Sequence, residues 1–204
     1  MVIAFPCAVG IGVLASPIMQ LLFGDSGKTI ENMLRLGAVS IVFYSLSTLS
    51  NGLLQGISRM RAPVRNAVTA LILHLGVLFV CMYGFELSVY SVVIANAFFA
   101  FFMCILNARS LRRYTRYHQE VLKTFFIPAI SSGIMGAAVF YAYPLLHKLL
   151  HSNAAATLIS IALGGIIYVI FLFLLRGLNE EEVRAFPKGN TLVRILKKLH
   201  LLRR

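Results

Sequence analysis

Six apolar stretches of 19–23 residues, none containing Asp, Glu, Lys or Arg, occupy most of this 204-residue chain. They run over residues 2–23, 36–57, 67–85, 87–106, 124–146 and 154–175. About 20 apolar residues in a helix match the roughly 30 Å hydrocarbon core of a bilayer. A helix of a soluble core keeps a polar face, and these mostly lack one. The expected fold is therefore all-α, a polytopic membrane bundle of six transmembrane helices. A mean hydropathy of +0.83 agrees. So little chain remains between the spans that no separate soluble domain fits.

The net charge of +12 would point to nucleic acid in a soluble protein. Here the basic residues sit between spans and no nucleic-acid-binding motif accompanies them, so nucleic acid is not an expected partner. Their distribution instead orients the chain. Lys and Arg collect on the cytoplasmic side of short loops. The loop with Arg59, Arg61 and Arg65, the loop from Arg109 to Lys123 and the tail from Arg176 together hold sixteen, and the alternate connections hold three. Both chain ends are then cytoplasmic in a multi-pass protein of the cell membrane, with Lys28, Glu86 and Lys148 outside. The organisation reads as four spans over 1–107, a basic cytoplasmic loop over 108–123, two further spans over 124–175 and a basic tail over 176–204. Met1 is followed at once by apolar residues, with no basic segment before them as a signal peptide requires. The chain reads as starting inside the membrane domain of a larger protein.

Polar atoms inside the spans carry the functional information. In the second span and its flank, Ser40, Tyr44, Ser47, Asn51, Gln55 and Ser58 recur at spacings of 4, 3, 4, 4 and 3. At 100° per residue they stay within about 40° of Asn51. Lipid offers such groups no partners, so this stripe faces protein or water. Two uses compete: hydrogen bonding between packed helices, and the lining of a polar cavity for a sugar or phosphate. Asn96 is a further cavity-lining candidate near the middle of the fourth span, with Asn107 on its face. His74, alone in the third span, reads as a satisfied structural histidine before a proton relay. Pro128, Ser131, Ser132, Gly133 and Gly136 suggest a kink with close packing in the fifth span. Thr157, Ser160, Gly164 and Tyr168 form a small-residue face on the sixth.

No catalytic constellation is visible. The spans hold no carboxylate, HExxH, GxSxG or phosphate-binding loop, so the chain is not expected to be an enzyme or to carry a cofactor. Cys7, Cys81 and Cys104 all lie within spans, without CxxC or neighbouring histidines, and read as packing residues rather than metal ligands. In the tail, Leu192, Ile195, Leu196, Leu199 and Leu202 make an apolar stripe opposite Arg194, Lys197 and Lys198. Such a helix lies on a surface of anionic lipid.

Several segments together resemble a known family. Gly52-Leu-Leu-Gln55-Gly56-Ile57, followed by basic residues, Pro63 and Asn66, is similar to a helix–loop–helix of the polysaccharide flippases. These belong to the multidrug/oligosaccharidyl-lipid/polysaccharide exporter superfamily. Leu21-Leu-Phe-Gly24 and Phe186-Pro-Lys-Gly189 with its basic helix fit as well, and the nearest branch looks like that of the stage V sporulation protein B and Gram-positive lipid II flippases. The resemblance implies a fourteen-helix exporter of two six-helix lobes plus two extra helices, of which this chain would be spans nine to fourteen. It implies a C-terminal portion that, with the missing N-terminal lobe, flips lipid-linked oligosaccharide or lipid II across the membrane by alternating access. The basic cavity residues of that family find no intramembrane Arg or Lys to match here. A multidrug or metabolite exporter of the same fold and a non-transporting membrane scaffold remain the alternatives.

Overall fold

A computed structural model describes residues 1–24, 27–115 and 122–175, and every regular element among them is helical. The interfacial helix expected in the tail, with Arg194, Lys197 and Lys198, lies outside the described residues, as does part of the basic loop. Among the described residues, five helices are long and apolar enough to cross a membrane: α3 (Lys28–Gly56), α4 (Arg61–Phe79, continued by a π turn to Gly84), α5 (Tyr90–Thr115), α6 (Ile127–Leu150, preceded by a π turn) and α7 (Asn153–Leu174). Large apolar side chains are widely exposed on them, as expected of helices whose solvent is lipid.

The first apolar stretch departs from the single span expected of it. It forms two helices, α1 (Ala4–Val13) and α2 (Ala15–Phe23), bent by 74° at Leu14. The cause is Pro17. It has no N–H for the carbonyl of Val13, and its ring crowds that carbonyl. The ladder closes before it, with Leu14 N–H donating to Gly10 O, and resumes after it, with Ile18 N–H donating to Leu14 O, each at 2.9 Å. Pro6 and Pro17 both sit in the first turn of their helices, where an N–H has no intrahelical partner anyway. The membrane crossings number six only if this bent pair counts as one. Pro128 likewise occupies the first turn of α6, directly after the π turn.

The chain divides into two compact units, one holding α1–α5 and the other α6 and α7. In the first, α3 packs on α1 and α5, and α5 packs on α4. Tyr44 meets Asn96, and Asn51 meets Asn107, so α3 and α5 run parallel. Asn66 meets Asn107, and His74 meets Ala95, so α4 runs antiparallel to α5. The turn between α3 and α4 therefore lies at the same end as the last turns of α5. That end gathers Arg59, Arg61, Arg65, Arg109, Arg112 and Arg113. At the other end Ser16 donates to Glu31 at 2.8 Å, tying α2 to the start of α3.

The α3–α4 turn is a Schellman closure, with Arg59 N–H on Leu54 O and Ser58 N–H on Gln55 O, both at 2.9 Å. Ser58 takes the left-handed position that favours glycine, at φ 60°. A Ser58→Gly variant is expected to gain up to about 1 kcal/mol, since an L-residue there carries a cost of about that size. Thermal unfolding in detergent micelles measures the gain.

Candidate functional site

Tyr44, Ser47 and Asn51 of α3 share one face, and that face meets α5. The centre of the contact is Asn107, completely buried. Its side-chain amide nitrogen donates to Asn51 Oδ1 at 2.8 Å and to Ser47 Oγ at 3.3 Å. Its Oδ1 accepts from Asn66 Nδ2 at 2.9 Å, and the same nitrogen of Asn66 reaches Ser110 Oγ at 2.9 Å. Three helices are thus joined by one continuous amide and hydroxyl network. Ser47, Asn66 and Ser110 are buried, and Asn51 is half-buried. Just below it, Leu54, Ala62 and Leu111 form an apolar plug from the same three helices.

The network separates the candidate residues into two groups. Ser47 and Asn51 direct their oxygens at Asn107, and Ser40 is buried. Tyr44, Gln55 and Asn96 are exposed, along with the motif residues Gly52 and Gly56. Tyr44 Oη donates to Asn96 Oδ1 at 2.9 Å, which leaves the Asn96 side-chain N–H groups directed elsewhere. Gln55 extends the same face toward the basic end. The edge is therefore a run of neutral donors and acceptors suited to a polyhydroxylated or phosphorylated group.

The remaining motif residues have structural places. Pro63 is buried in the first turn of α4, and Asn66 is part of the network. Hydropathy alone starts the third span at residue 67, which leaves Asn66 in the loop. The signal for an earlier start is Pro63, a residue tolerated in a helix chiefly in its first turn. His74 is satisfied: its Nδ1 lies 2.8 Å from Ala95 O, and its ring packs edge-on against Phe99.

No protein-family model matches this chain, and no solved structure does. It is similar to a Bacillus subtilis (strain 168) protein named "Uncharacterized membrane protein YabM", at 27% identity over 206 residues. The alignment covers 97% of this chain and 37% of that relative. The chain thus spans well under half the length of the curated relative it matches. The likeness agrees with the membrane character of the helices.

Proposed function

We propose that this chain works as the C-terminal portion of a membrane transporter that moves a lipid-linked oligosaccharide, of the polysaccharide or peptidoglycan-precursor class, by alternating access. The observation that carries the reading is the exposed neutral polar edge of Tyr44, Asn96 and Gln55 on membrane-spanning helices. Lipid would penalise such an edge, so a partner or a water-filled cavity must cover it. Asn51 and Ser47, held by Asn107, set the pitch of α3 against α5 and so aim that edge. The segment resemblance supplies the substrate class. The similarity to a longer membrane protein supports a role as one part of a larger assembly. In this reading one lobe rocks against the other around the polar edge. No bond is made or broken, so the chain acts without enzyme chemistry.

The test pairs transport with stability in the complete transporter. Gln55→Leu should lower flipping of a fluorescent lipid-linked oligosaccharide in proteoliposomes by about five-fold, the worth of one hydrogen bond, and leave the melting temperature unchanged. Asn51→Leu should lower the melting temperature as well. Undiminished flipping by Gln55→Leu would reject the substrate-contact reading and leave a scaffold role for the stripe.

A further inference from the structure

The sharpest chemical feature outside the polar edge is at the basic end of the first unit. A cavity of about 530 Å³ opens there, lined by Ser58, Arg59, Met60, Arg61, Ala62 and Tyr114. Its volume falls within the range of ligand sites. The Arg59 guanidinium is not loose: it lies over the Tyr114 ring, 4.9 Å from the centroid, so α5 positions a charge that the α3–α4 turn supplies. The described carboxylates, Glu31 and Glu86, belong to the opposite end of the unit, where Glu31 pairs with Arg35. Among the described residues, no carboxylate lies at this end to neutralise Arg59 and Arg61, which line the cavity, or the four further arginines of the same end.

The surroundings say what kind of anion fits. The cavity sits at the ends of three membrane-crossing helices. On the same turn and flanks, Leu53, Ile57, Met60 and Val64 are 45%, 40%, 67% and 65% exposed. A ligand held here would have a charged head among guanidinium forks and apolar chains running along these side chains into the hydrocarbon. Arginine matches phosphate through two parallel N–H donors, and the Ser58 hydroxyl adds another donor at the rim. Basic pockets between membrane helices are a recurring way to hold lipid head groups.

We infer that the cavity formed by the α3–α4 turn and the end of α5 is a binding site for the phosphodiester head group of an anionic phospholipid, held by Arg59 and Arg61. This site is separate from the polar edge and does not depend on transport. Its occupant would brace the turn against α5, since the phosphate would bridge Arg59, already stacked on Tyr114, to Arg61 at the start of α4.

The chain contains no tryptophan, which gives a clean probe. Val64→Trp places a single fluorophore one helical turn from Arg61, in full-length chain reconstituted into bilayers. Brominated phosphatidylglycerol and brominated phosphatidylcholine then compete as quenchers. The expected preference for phosphatidylglycerol is about tenfold, somewhat under the contribution of two surface cations. Arg59→Gln with Arg61→Gln should bring it close to one. Arg112→Gln with Arg113→Gln removes the same charge from the same end but outside the cavity, and should keep the preference. If both pairs lose it equally, diffuse surface charge explains the attraction and the site is rejected. If millimolar inorganic phosphate releases the brominated lipid while chloride of equal ionic strength does not, the cavity selects free phosphate and the lipid assignment fails. Should the double glutamine variant not reconstitute, Arg61→Gln alone is read, with a partial loss expected and no loss rejecting the site.

Discussion

Replacing Asn107 by leucine is expected to destabilise the first helical unit by about 2 kcal/mol, more than any other single polar substitution in the spans. Asn107 bonds to Ser47, Asn51 and Asn66 from a position with no exposure. Hydrogen bonds between membrane helices average about 0.6 kcal/mol, so the loss of three sums to roughly that figure. Leucine keeps asparagine's branched outline and heavy-atom count while removing the polar contacts, and its bulkier methyl groups at this buried position add to the cost rather than offset it. The partners are not equally affected. Asn66 keeps Ser110, whereas the Asn51 and Ser47 oxygens lose their donor from α5. The α3–α5 contact should therefore loosen before the α4–α5 contact does. Asn96→Leu is the comparison: it breaks the bond from Tyr44 at an exposed position and should cost about 0.6 kcal/mol or less. Unfolding of both variants in mixed micelles, followed by circular dichroism, measures the difference. Equal costs would mean that the network is incidental to the packing of α3 on α5.

That network also shows what a single sequence reveals in a membrane protein and what it hides. The face from Ser40 to Gln55 was legible, because a 3.6-residue period needs only residue types and spacing. Its partner was not. Helix neighbours in lipid are chosen by small-residue packing and hydrogen bonds, with no hydrophobic pattern to announce them. Asn107 was visible as a polar residue near the end of a span, yet nothing in the chain's order says that α3 meets α5 across the antiparallel α4. Asn66 was named as a motif residue, but its place in the helix was not legible, for another reason. Span boundaries drawn by hydropathy begin at the first uncharged run, but α4 begins earlier, at Arg61, so the residue belongs to the helix. The break at Leu14 was hidden in the opposite way. Its residues are as apolar as a continuous span, and only the missing N–H of Pro17 separates α1 from α2. The gathering of Arg59, Arg61, Arg65, Arg109, Arg112 and Arg113 at one end of the first unit, by contrast, agrees with that part of the loop asymmetry. The alternation of α3, α4 and α5 places the two basic segments together, as the loop asymmetry required.

The second unit offers the other large effect, at Gly164. A Cβ on this residue of α7 would stand 2.8 Å from Val139 Cγ2 and 3.5 Å from Met135 Cγ on α6. Met135 is flexible and can yield. Val139 cannot easily do so, because it is β-branched, fixed at χ1 in a helix and 2% exposed. Gly164→Ala should then push the two helices apart and destabilise the pair by about 2 kcal/mol, within the usual cost of overpacking. Gly164→Leu should cost more. Gly165 is the control on the neighbouring position. A Cβ there would meet nothing within 4 Å, so Gly165→Ala should be neutral or gain up to about 1 kcal/mol from helix propensity. The decisive measurement is a double-mutant cycle with Val139→Ala. That change alone leaves a cavity and destabilises, but it makes room for the new methyl group. The pair Gly164→Ala with Val139→Ala should therefore be more stable than the sum of the single effects predicts, by at least about 1 kcal/mol. Strict additivity would place the strain of Gly164→Ala elsewhere and remove the close approach of α6 and α7 as the reason for glycine at this position.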